Sequence, residues 1–350
     1  MRTGISLYMG SGLATNIQII DKAHAAGASF AFTSLQIPEE TDIDQASETR
    51  RLLQLCREAN LNLIADISPR TLAKLGYSSL SELKGTGIDY VRLDFGFSAA
   101  ETVELSHDFH VVFNASTISK QDILAWRSAG ADFTRFAACH NYYPKPLTGL
   151  SIERVANINR GLSELGFTTM AFIPGDKTLR GPLYEGLPTV EAHRGDTTDQ
   201  LAIDALELLE AKTDVVMVGD PDLSTRAWQR LAELSRGYVS LRTKIEDTYA
   251  YVRQQIHHDR PDSSAYVIRS QESRGYAQLA QRSFTPHPYE KRSLGSISVG
   301  NIGYARYAGE LEIARCNLPH EERVNIIGKI ADDDLPFLPH INSGFGFKLV

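Results

Sequence analysis

The chain has 350 residues, 42% of them hydrophobic and 23% charged, with a formal net charge of −7. That length can hold one large domain plus a small one, and the composition is that of an ordinary soluble globular protein. The acidic balance argues against general nucleic-acid binding, and no apolar run approaches the ~18 residues needed to span a bilayer. The three cysteines, Cys56, Cys139 and Cys316, are odd in number and far apart. They imply no disulfide framework or zinc knuckle, and we expect small buried hydrophobes in a reducing, cytoplasmic compartment. The first residues enter a strand directly, with no apolar signal region.

Short apolar stretches that stop at a polar tip recur along the first two-thirds of the chain. In order they are residues 4–9, 30–33, 61–66, 90–94, 111–114, 133–140, 168–173 and 215–220. Strands buried on both faces are apolar throughout, and in a parallel barrel the C-terminal tip opens onto the active-site face. Helical patterns alternate with them. Residues 16–27 place Ile17, Ile20 and Ala23 on one face and end at a glycine, and residues 43–60 carry Leu52, Leu55, Cys56 and Ala59 on one stripe. Ser98 with Glu101 and, more weakly, Ser119 with Asp122 read as capping boxes. Further helices open at Ser151, Thr198 and Ser224. Eight strand-helix units predict a (β/α)₈ TIM-type barrel over residues 1–241. No Gly-x-Gly-x-x-Gly follows the first strand, against a dinucleotide fold.

Near Arg242 the pattern changes. Short β-like runs at 264–269, 297–300, 310–315 and 324–328 replace the helices, predicting a small, mainly β domain over 242–350.

Strand alternation sorts the residues that could carry chemistry. Tyr90, Arg92 and Asp94 share one face, as do Ile64 and Asp66, and Val216, Val218 and Asp220. If those faces point inward, Asp66, Asp94 and Asp220 ring the barrel mouth, where charge is costly unless paired or functional. The bland alternative is that they cap loops or pair with Arg92. The segment 140–151, stiffened by Pro144 and Pro146, holds His140, Tyr142, Tyr143 and Lys145 and suits sugar binding, unless its tyrosines are core filler. The connection 174–198 is long for a βα loop, and such loops are usually functional. Its Lys177, Arg180 and Arg194 suit phosphate, and Glu191 adds a fourth carboxylate, unless this is a solvated charged loop. Asp66, Asp94, His140, Glu191 and Asp220 would also compose an Asp/Glu/His metal site, but there is no metal-binding motif, and no metal or other cofactor is expected.

Several strings together resemble the 6-phospho-N-acetylmuramidase family (MupG type) over essentially the whole chain. They are Gly4-Ile-Ser-Leu-Tyr8, Phe32-Thr-Ser-Leu-Gln-Ile-Pro-Glu-Glu40, Arg92-Leu-Asp94, His140-Asn-Tyr-Tyr-Pro-Lys-Pro-Leu-Thr-Gly-Leu-Ser151, Gly186-Leu-Pro-Thr-Val-Glu-Ala-His-Arg194 and Gly219-Asp-Pro221. The string around His140 is the most specific. The resemblance implies a TIM-type barrel followed by a cyclophilin-like β-domain. It also implies cytosolic hydrolysis of N-acetylmuramic acid 6-phosphate–N-acetylglucosamine in peptidoglycan recycling.

Strand parity and the resemblance together give the expected roles. Asp94 is the general acid, with Asp66 or Glu191 as second carboxylate. Arg92, Asn114, His140, Tyr142 and Asp220 hold sugar hydroxyls or the amide, and Lys177, His193 and Arg194 hold phosphate or the lactyl carboxylate. The expected partner is the small phosphosugar, with no nucleic acid and no membrane; a homo-oligomer is compatible with the sequence. Two rival readings are a metal-dependent phosphosugar isomerase or epimerase and a non-catalytic sugar-phosphate-binding protein.

Overall fold

Eight parallel strands close a barrel in chain order, each pairing with the next and the last with the first. They are β1 (Arg2–Leu7), β2 (Phe30–Ser34), β3 (Asn62–Ile67), β4 (Ile88–Leu93), β5 (His110–Asn114), β6 (Phe136–Cys139), β7 (Thr168–Ile173) and β8 (Val215–Val218). The computed structural model describes residues 1–34, 45–67, 79–93, 97–253, 255–275, 284–288 and 290–350. Outside the strands lie α1 (Leu13–Ala25), α2 (Gln45–Glu58), α3 (Ala99–Ser106), α4 (Lys120–Ser128), α5 (Ile152–Ser163), α6 (Asp199–Glu210) and α7 (Thr225–Ser235). Both expected capping boxes form: Ser98 and Glu101 open α3, and Ser119 and Asp122 open α4. The glycines at 27, 130 and 166 follow α1, α4 and α5 at φ of +73°, +87° and +103°, a conformation that stops a helix at little cost in glycine.

Alternation divides the barrel residues between two apolar cores. Phe30, Phe32, Ile64, Tyr90, Val112, Cys139, Phe172 and Met217 fill the interior, whereas Ile5, Leu7, Ala31, Leu63, Val91, Val111 and Ala138 pack under the helices. Each large interior side chain is worth ~1.5–3 kcal/mol of burial. The filling is tight at Gly4, where a Cβ would collide with the Met217 sulfur and Phe30.

The strand expected from residue 133 starts later. Asp132 accepts a hydrogen bond from the Thr134 amide (3.0 Å), capping a 3-10 turn at Phe133–Arg135 before β6. Likewise β8 ends at Val218, two residues before Asp220.

The second unit spans Gly237–Val350 and the first Met1–Arg236, so the division falls a few residues before the expected 241/242. The reason is β9 (Tyr238–Leu241), which pairs in parallel with β16 (Gly346–Leu349) rather than with the barrel. The unit is mainly β. β10 (Thr243–Ile245), β12 (Val267–Arg269), β13 (Ser296–Gly300), β14 (Leu311–Ala314) and β15 (Val324–Ile330) form a sheet in the order β10-β15-β13-β14-β12, and β11 (His257–His258) joins β16 and β9 in another. The buried Asp334 carboxylate ties Arg242 into this unit, accepting from its backbone amide (2.6 Å) and its guanidinium (Nη2, 2.6 Å). Cys56 and Cys139 are buried as expected, but Cys316 is half-buried.

Candidate active site

At the C-terminal ends of the strands, inward parity brings a small set of polar side chains together. Asp66 on β3 and Arg92 on β4 are register partners, and both follow interior residues, Ile64 and Tyr90, by two positions. The Ser34 hydroxyl, from β2, donates to Asp66 Oδ2 (3.3 Å). Arg92 donates from Nη2 to the Asn141 side-chain oxygen and lies over the Phe32 ring, 5.7 Å from its centroid. Asn114 at the tip of β5 shares the inward parity of Val112, and its Oδ1 accepts from the Ser116 amide (3.1 Å).

Tyr142 stands among these groups. Its ring packs edge-on against Phe32 and Phe172, which fixes its position on the interior core. Its phenol hydrogen-bonds Tyr8 and feels the charges of Arg180, Arg92 and Asp66. Burial raises its pKa despite the two guanidiniums. Tyr8, beyond β1, donates to the Gly219 carbonyl and is raised still more strongly, again by burial first. The Arg180 guanidinium lies over the Tyr8 ring at 4.2 Å, a cation–π geometry. Beside them a hollow of about 410 Å³ opens, lined by Tyr8, Ser11, Thr178, Arg180, Pro182 and Tyr184. The arrangement offers one carboxylate, two guanidiniums and two phenols over an aromatic floor, a set able to bind a polar anionic ligand.

Other expected site residues are committed elsewhere. Glu191 forms a double ion pair with Arg194 (Oε1–Nε 2.6 Å, Oε2–Nη2 2.9 Å) and accepts from the amides of Leu147 and Gly149 (2.7 Å each). The Arg194 hydrogen bonds, opposed by burial and joined by those amides, hold Glu191 down at about 2, far from a general acid's range. Arg194 also donates to the carbonyls of Tyr143, Glu185 and Gly186, so its guanidinium clamps the loop rather than presenting a fork to phosphate. Lys177 pairs with Asp222 (2.7 Å), which also binds Lys22. Burial would raise Asp222, but hydrogen bonds from Lys177, Trp228 and Lys22 outweigh it and hold it low.

Asp220 does not join the ring of aspartates. Val215 and Met217 fill the interior, so Val216, Val218 and Asp220 share the opposite parity. Its buried carboxylate accepts from the amides of Gly175, Arg180 and Leu187 (2.9 Å each) and so anchors the connection 174–198. His140 is outward for the same reason, following the interior Cys139. Its Nε2 meets Asn159 on α5 (2.9 Å), and burial keeps its pKa low. His193 is 2% exposed and faces α6, with Nε2 3.0 Å from Glu207 and 4.0 Å from Asp204. Two carboxylates there argue against an anion subsite. Asp94, the expected acid, lies outside the described residues.

Thus Asp66, Arg92 and Tyr142 meet at the mouth, with Asn114 on the same inward parity at the tip of β5 but its side chain bonded to its own loop, while Glu191, Lys177, Arg194, His140, His193 and Asp220 do not join them. Tyr8, Ser34 and Asn141 went unassigned. The first two were discoverable by carrying the alternation of β1 and β2 to the strand ends; Asn141 was discoverable from its place two residues after the interior Cys139.

The description "6-phospho-N-acetylmuramidase, N-terminal" matches residues 3–233 and "6-phospho-N-acetylmuramidase, C-terminal" residues 238–350. Two solved structures are similar over the full length. One, a conserved protein of unknown function from a locus in Enterococcus faecalis, is 31% identical, with TM-score 0.74, covering 100% of this chain and 96% of that one. The other, an uncharacterized B. cereus protein, is 25% identical, with TM-score 0.75, covering 100% and 99%. No curated protein matches. With both halves matched in order and a closed eight-stranded parallel barrel in the first, the chain belongs to the 6-phospho-N-acetylmuramidase family.

Proposed function

We propose that the protein is a cytoplasmic glycoside hydrolase that cleaves the 6-phosphorylated disaccharide MurNAc 6-phosphate–GlcNAc in peptidoglycan recycling. The observation that carries this reading is the meeting of Asp66, Arg92, Tyr8, Tyr142 and Arg180 at the barrel mouth of a member of this family. The substrate brings a phosphate and a lactyl carboxylate, and guanidiniums are suited to both. Arg180 and Arg92 take that role because they lie beside the mouth phenols, whereas Arg194 is clamped by Glu191 and backbone carbonyls and Lys177 is held on Asp222. Tyr8 and Tyr142, kept protonated by burial, hold sugar hydroxyls and an apolar face.

Hydrolysis needs an acid at the leaving oxygen and usually a second carboxylate. Asp94 keeps the first role on strand parity with Arg92. It protonates the glycosidic oxygen as the bond to the anomeric carbon breaks. Asp66 takes the second, orienting either the attacking water or the 2-acetamido group. Glu191 is withdrawn from both. The second unit, cyclophilin-like by resemblance, is assigned no prolyl isomerase activity.

Asp66→Asn tests the assignment. Release of GlcNAc should fall by roughly 10²–10⁴-fold with little change in melting temperature. Turnover at the normal rate would remove Asp66 from the mechanism.

A further inference from the structure

Outside the barrel, where the Glu191–His193 turn rests on α6, a second polar cluster lies apart from the mouth residues. His193, Asp204 and Glu207 each offer a ligand atom, and these atoms all lie within 4.8 Å of one another. His193 Nε2 is 3.0 Å from Glu207 Oε2 and 4.0 Å from Asp204 Oδ1. Ligand atoms on a tetrahedral zinc, at bonds of about 2.0–2.2 Å, stand roughly 3.3 Å apart, between those two distances. Asp204 is 1% exposed, no group among the described residues donates to its Oδ2, and its carboxyl meets that of Asp196. A buried pair of facing carboxyls needs a shared proton or a cation between them, and the imidazole alongside makes a cation the chemical alternative to that proton. We propose that His193, Asp204 and Glu207 bind a zinc-type divalent cation that fastens the long connection after β7 to α6. Imidazole nitrogen and carboxylate oxygen are both zinc ligands, three of them leave a fourth tetrahedral position open, and the imidazole disfavours Mg²⁺. Glu207, 38% exposed, gives the ion a path from solvent.

The test is calorimetric titration of the chelator-treated full chain with Zn²⁺ alone, paired with thermal melts. A single equivalent should bind with micromolar or tighter affinity and raise the melting temperature. Glu207→Gln, at a partly exposed position, should keep the fold by circular dichroism, weaken binding at least tenfold and abolish the shift. Failure of the unmodified chain to bind Zn²⁺ would overturn the site, whatever the variants do. So would binding that persists unchanged in Glu207→Gln, or Mg²⁺ binding as tight as Zn²⁺. None of these outcomes depends on glycosidase activity.

Discussion

The long connection after β7 carries three cations, and each does something different. Arg194 is consumed by Glu191 and backbone carbonyls, Lys177 by Asp222, and Arg180 lies over Tyr8 beside Tyr142. Replacing Arg180 by Ala should therefore raise KM for a phosphorylated substrate at least tenfold, measured by initial rates, while Lys177→Ala should leave it near normal. Glu191 predicts a stability effect instead. Its folded pKa, about 2, lies below its ordinary 4.5, so the unfolded chain binds more protons between those values. Its contribution is complete above pH 4.5 and is lost as pH falls through about 2. Glu191→Gln should lower the melting temperature at neutral pH and flatten its acid-side decline; melts from pH 7 to pH 2 that superimpose on those of the unmodified protein would contradict this.

At the level of strands and loops, alternation made the barrel and half of its mouth legible. Asp66 and Arg92 fall where period-two reading places them because the β3–β4 register shift lies before Ile64 and Tyr90, and alternation is regular from there to the strand ends. Asp220 and His140 were misplaced because alternation says which residues share a face, not which face is inward, and a shift of one residue reverses the answer. The interior is identified by Met217 and Cys139, which look no more buried in sequence than Val218 or Ala138. The clamps of Glu191–Arg194 and of Asp220 were illegible for another reason: their partners are backbone amides and carbonyls, which carry no sequence signature. Asp220 holds three amides across that connection, Arg180's among them. Asp220→Ala should cost about 2–5 kcal/mol in urea unfolding, since each hydrogen bond to a charged group contributes roughly 1.5–3 kcal/mol and losses overlap. It should also raise KM by loosening Arg180. An unchanged unfolding midpoint would contradict the anchoring role.

For the molecule as a whole, the change in sequence texture near residue 242 located the second unit to within a few residues, and β9 moved the boundary because its partner lies more than a hundred residues downstream. What bulk sequence could not supply is substrate identity, which rests on the chemistry gathered at the mouth and on the family. The direct measurement is to incubate the full chain with MurNAc 6-phosphate–GlcNAc and with the same disaccharide lacking phosphate, and to weigh the products by mass spectrometry. The expected result is MurNAc 6-phosphate and GlcNAc from the first and intact sugar from the second, with both the cleavage and the phosphate preference weakened in Arg180→Ala. No cleavage of either disaccharide, or equal cleavage of both, would contradict it.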